Sequence, residues 1–89
     1  MRMAEVTLER RLGLEGLIAL VELAESFSSE IYLHKGDMHV NVKSLLGLAC
    51  VPLRKGERFT LVLHGTDEKE ALGKLVRFFS ASGPSCREG

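Results

Sequence analysis

Tryptophan is absent from this chain of 89 residues, and aromatic residues make up only 6% of it. Cysteine occurs twice, at Cys50 and Cys86, too seldom for a disulfide framework, which points to a reduced compartment. Neither sign of charge dominates, because 12 Lys+Arg balance 12 Asp+Glu. Nucleic acid and anionic membrane surfaces both call for a basic field, so neither is expected as a partner. No apolar run approaches the roughly 20 residues of a membrane span. The first residues, Met-Arg-Met-Ala-Glu-Val, turn acidic before any leader-like stretch, and a cytoplasmic location is expected. Also missing are a Cys-x-x-Cys pair, a glycine-rich phosphate loop, His-Glu-x-x-His and Gly-x-Ser-x-Gly. A domain this small seldom builds a catalytic cleft. An enzyme is not expected, nor is a bound cofactor.

What is present is hydrophobic patterning, in a chain 45% apolar and long enough for one domain. Ala4, Val6 and Leu8 alternate with Glu5, Thr7 and Glu9, the period of a half-buried strand. After Arg10-Arg11 the period lengthens: Leu17, Leu20, Val21, Ala24 and Phe27 form the stripe of a helix. Ile31 and Leu33, then Met38, Val40 and Val42, alternate on either side of Gly36-Asp37, which predicts a β-hairpin. Ser44 has the chemistry of an N-cap for a short helix through Leu45–Val51, closed by Pro52. Lys55-Gly56-Glu57 reads as a turn, and Phe59, Leu61 and Leu63 as the inward face of a fourth strand. Asp67 with Glu70 has the spacing of a capping box, ahead of a helix striped by Leu72, Leu75, Val76 and Phe79. Residues 1–80 make one domain, and residues 81–89 read as a flexible tail. The order β-α-β-β-α-β-α fits an α+β open-faced sandwich, a four-stranded antiparallel sheet covered on one side by three helices. A split β-α-β arrangement fits the same order.

The three histidines are His34, His39 and His64. A two-residue turn at Gly36-Asp37 sets His34 opposite His39, within reach of one metal ion. Without a third ligand nearby they are read as a solvated pair on the uncovered sheet face, and no metal site is expected. His64 closes a strand and faces solvent. Cys50 is expected partly buried at the end of the short helix, and Cys86 exposed in the tail, both inert.

Val40-Asn41-Val42-Lys43-Ser44-Leu45-Leu46-Gly47-Leu48 is the most specific segment. It resembles the Val-Asn-x-Lys-Ser-x-x-Gly segment of HPr, the histidine-containing phosphocarrier family of the bacterial sugar phosphotransferase system. The likeness extends through Arg54-Lys55-Gly56-Glu57, Thr60-Leu61, Gly65-Thr66-Asp67-Glu68 and Glu70-Ala71-Leu72. Upstream it takes in Leu20-Val21-Glu22-Leu23-Ala24 and Phe27, so that it covers about residues 12–79 in one register. The resemblance implies the HPr-like open-faced β-sandwich. It does not imply the family's chemistry, because the phosphoryl-accepting histidine of the Gly-Leu-His-Ala-Arg-Pro-Ala pattern falls at Gly13, or at Glu15 if the register slides. The ungapped register also puts Glu15 at the arginine and Gly16 at the proline. A phosphohistidine needs an imidazole, helix-start amides and an arginine around the phosphoryl group. Histidine phosphorelay is therefore not expected.

Ser44 matches the serine that HPr kinase/phosphorylase modifies in many relatives, and it also has a purely structural reading as an N-cap. The family presents apolar side chains from its second helix and the start of its first to partners. Here these correspond to Leu14, Leu17, Leu45, Leu46 and Ala49, with Leu46 expected exposed. The resemblance implies a regulatory or adaptor module akin to the catabolite-repression HPr-like proteins. Its partners would be HPr kinase/phosphorylase and a transcriptional regulator such as catabolite control protein A. The other reading is a non-phosphorylated binding module that uses the same patch, or the face carrying Tyr32, His34 and His39.

Overall fold

The structure is a computed structural model that describes residues 1–51 and 53–80. Among them lie β1 (Arg2–Thr7), α1 (Leu14–Glu25), β2 (Glu30–Lys35), β3 (Met38–Asn41), α2 (Leu45–Ala49), β4 (Arg58–His64) and α3 (Glu68–Ser80). The strands form one antiparallel sheet in the order β1-β4-β2-β3. β1 is thus an edge strand paired only with β4, whereas a split β-α-β arrangement would place it inside the sheet. The open-faced sandwich is the fold.

Alternation in the sequence becomes alternation of faces. Ala4 stands opposite Leu61, Leu61 opposite Leu33, and Leu33 opposite Val40, so one inward row crosses all four strands. Val6, Phe59, Leu63 and Ile31 lie on the same side and join Leu20, Ala24, Leu48, Ala71, Leu75 and Phe79 in a single buried cluster. Tyr32, Thr60, Val62 and His34 point the other way, onto a sheet face that no helix covers. A one-residue slip anywhere in this register would exchange the two faces, which is why a buried face fixes it so firmly.

Several boundaries differ from the sequence reading for identifiable reasons. β1 begins two residues earlier than its clearest alternation and ends at Thr7, yet Leu8 is fully buried. Beyond the strand, the Leu8 amide donates to the Glu57 carbonyl at 2.9 Å and its carbonyl accepts from Gly56 at 2.7 Å. α1 ends at Glu25, so Phe27 fills the core from the following loop rather than from the helix. Cys50, at the C-cap of the five-residue α2, is exposed rather than partly buried. A helix of about one turn has no second layer to cover its last side chain. Pro52, Cys86 and the tail reading of residues 81–89 lie outside the described residues.

The largest correction concerns Asp67. Its carboxylate does not cap its own helix with Glu70. It instead accepts from the Ser28 amide at 2.9 Å, the Ser29 amide at 3.0 Å and the hydroxyls of both serines. Reach-back at this helix start is made by Glu68, whose Oε1 accepts from the Gly65 amide at 3.0 Å. Ser29 is fully buried, and Asp67 supplies the partner its hydroxyl requires. Gly65 belongs to the same junction, because a Cβ there would stand 2.6 Å from the Ser29 Cα, closer than two carbons can approach.

Four donated hydrogen bonds hold the Asp67 carboxyl down at about 2, led by the Ser29 hydroxyl and then the Ser28 amide. A depressed folded-state value contributes stability that is complete above the ordinary carboxylate value of 3.8 and is lost as pH falls through about 2. Asp67→Asn is therefore expected to be less stable than the parent at neutral pH, with the gap closing as pH falls from about 4 to 2. Urea unfolding midpoints across that range provide the check, and a gap independent of pH would contradict the assignment.

Candidate functional site

The short helix α2 is set up by the chain just before it. Asn41 ends β3, and its Oδ1 accepts from the Lys43 amide at 2.8 Å, while its carbonyl accepts from the Ser44 amide at 2.9 Å. This turn delivers Ser44 in an extended conformation, with φ −108° and ψ 108°, as the N-cap of α2. Ser44 Oγ accepts from the Gly47 amide at 3.1 Å, so the capping role read from the sequence is present. The first turn of α2 carries no acidic side chain. Lys43 sends its ammonium away to the Phe27 carbonyl at 2.8 Å, pinning this turn to the loop after α1.

α1 packs against α2, and the expected apolar residues lie on these two neighbouring helices. Leu46 is 82% exposed and Leu14 is 66% exposed. Ala49 is exposed, and Leu17 and Leu45 are half-buried. Leu17 doubles as a core residue, and Leu48, the remaining leucine of α2, is wholly buried. The sequence reading missed Ile18, which is 38% exposed on α1. Its signal was available: Ile18 is apolar but falls one position off the inward stripe of Leu17, Leu20, Val21 and Ala24. Leu14, Ile18 and Leu46 are thus large apolar side chains left in water on adjoining helices, the kind of surface that a candidate docking site requires.

At the start of α1, Gly13 is the N-cap, with no side-chain cap, and Glu15 stands exposed in the first turn. Neither position offers an imidazole. His34 and His39 are on the β2–β3 hairpin, and His64 ends β4. Four cations that the sequence reading did not combine gather nearby. Arg11, Arg54 and Lys55 line one cleft of about 380 Å³ beside Gly13, and Arg10 and Arg11 border the next, with Leu14 and Glu15. The hydrogen bonds of Leu8 to residues 56 and 57 bring these two segments together. Arg10 also lies over the Phe78 ring, 4.6 Å from its centroid. The corner therefore has an apolar surface bordered by positive charge, in a chain whose net charge is zero.

Because Leu46 touches little, Leu46→Asp is expected to change unfolding free energy by no more than about 0.5 kcal/mol. Ser44→Ala, which removes a cap, is expected to cost about 1 kcal/mol. Chemical denaturation of both variants separates the exposed apolar patch from the scaffold, and a large loss at Leu46 would show that it is a structural residue.

Comparison with known proteins agrees with this fold. A family profile described as "PTS HPr component phosphorylation site" matches residues 3–81. The chain is 35% identical over 77 residues to the HPr-like protein Crh of Halalkalibacterium halodurans, covering 86% of this chain and 92% of that one. It is 36% identical over 74 residues to the HPr-like protein Crh of Bacillus subtilis, covering 83% and 87%. Among solved structures, HPr of Thermoanaerobacter tengcongensis superposes with a TM-score of 0.83 at 30% identity, covering 89% and 91%. Carrier or regulatory proteins, rather than enzymes, make up this group, and the chain belongs to the HPr family.

Proposed function

We propose that this protein is a regulatory adaptor related to the sugar phosphotransferase system that acts through Ser44 and not through a phosphohistidine. The observation that carries the reading is the placement of Ser44. It caps α2 next to the exposed Leu46, and the start of α1 carries Gly13 and Glu15, the two positions onto which the resemblance to HPr would put the phosphoryl-accepting histidine. The carboxylate of Glu15 would repel an incoming phosphoryl donor. Residues 1–80 are the single domain that serves this role, in the cytoplasm.

The mechanism follows from charge. A phosphate on Ser44 adds between one and two negative charges, at about −1.5 to −2, where α2 has no acidic residue to oppose it. Leu14, Leu17, Leu45, Leu46 and Ala49, joined by Ile18, form the apolar contact surface. Arg10, Arg11, Arg54 and Lys55 lie along its edge near α1. HPr kinase/phosphorylase would write the modification. A transcriptional regulator such as catabolite control protein A would read it, docking an apolar surface and a donor for the phosphate together.

Intact mass after two parallel incubations tests this reading. With HPr kinase and ATP, one phosphate is expected, and Ser44→Ala is expected to take none. With enzyme I and phosphoenolpyruvate, no transfer is expected. Phosphate acquired from enzyme I would contradict the loss of the relay, and no phosphate in either reaction would leave an unmodified binding module instead.

A further inference from the structure

We propose that His34 and His39 form a two-imidazole site for a late first-row divalent cation of the nickel, copper or zinc type. The hairpin sets the geometry. Gly36-Asp37 is the two-residue turn, with Gly36 at φ 59°, and Lys35 faces Met38 beside it. His34 faces His39 as the next pair. In an antiparallel ladder, the pair flanking a two-residue turn exchanges both hydrogen bonds, and the following pair exchanges none. A pair of the second kind brings its Cα atoms to about 4.5 Å, the shortest separation the ladder offers. The two rings stack accordingly, with centroids 4.0 Å apart and planes inclined by 4°.

Neither ring is committed elsewhere. No side-chain hydrogen bond or ion pair among the described residues involves either imidazole. The pair lies on the uncovered sheet face, where His34 stands beside Thr60, and Thr60 in turn beside Glu5 on β1. The carboxylate in this row is thus two strands from His34.

The χ2 torsion of histidine is soft, so two rings this close can turn to aim one nitrogen each at a common point above the sheet. Two imidazoles select the metals that favour nitrogen and discriminate against magnesium and calcium, which favour oxygen. No group of three or more His, Cys, Asp or Glu that could hold a metal occurs among the described residues. Water therefore completes the coordination, and the cation exchanges rather than serving as a structural ion. A bound ion would clamp β3, an edge strand, to β2.

Nickel(II) titrated into the full chain, followed by the histidine ring resonances, tests the site. Paramagnetic broadening is expected to centre on His34 and His39 and to spare His64, which serves as an internal control. His34→Gln and His39→Gln are each expected to weaken binding by at least tenfold, since even indirect supports of a metal ligand are worth about 10- to 100-fold. Broadening centred on His64 or Cys50, broadening unchanged in both variants, or none at all would overturn the proposal. The wild-type spectrum decides by itself if a variant fails to fold.

Discussion

The inward face of β4 is the constraint on which the rest of the molecule depends. Phe59, Leu61 and Leu63 are at most 2% exposed, and the strand that carries them lies between β1 and β2. Its register decides which residues of both neighbours reach the core, and hence which face is left for solvent. A second constraint closes the fold at one end. Just before α3, Asp67 bonds Ser28 and Ser29, between α1 and β2, across 38 to 39 residues of sequence, and Gly65 packs against Ser29. α1 packs against α2 on this scaffold, and the exposed leucines of the two helices lie on that packed pair.

Much of the fold was legible because burial is periodic. The alternation of Ile31 and Leu33, or of Phe59 and Leu61, needs only the pleat to become a face. The pairing of His34 with His39 was equally legible, since a two-residue turn leaves the register no freedom. Strand order was not written in the pattern: the resemblance to HPr pointed to the open-faced sandwich, and the order β1-β4-β2-β3 comes from the structure. Asp67 misled for a physical reason. An aspartate three residues before a glutamate looks like a local cap, but its carboxylate is satisfied by serines far upstream, and no local rule reports such a partner.

The site was partly legible for the same reason. Leu46 was readable as exposed because it is an apolar residue on a helix whose other leucines can fill the core, whereas Leu14 entered only through the patch that the resemblance implies. Ile18 carried the same signal one position off the stripe. The basic border was not readable. Arg10-Arg11 and Arg54-Lys55 are separated by more than 40 residues and meet only because the chain on either side of Leu8 and Gly56 is hydrogen-bonded. Charge that averages to zero over the sequence can still be segregated in space.

On this account Ser44 has two tasks that share one oxygen: as a hydroxyl it caps α2, and as a phosphate ester it would recruit a partner to the leucines beside it. The most direct test is the affinity of catabolite control protein A for the Ser44-phosphorylated and unmodified chains, measured at fixed salt with Leu46→Asp alongside. The account predicts that phosphate tightens binding at least about tenfold, a coupling within the usual range for such switches, and that Leu46→Asp abolishes the gain. Equal affinity for the two forms, or a phosphate effect indifferent to Leu46, would contradict it.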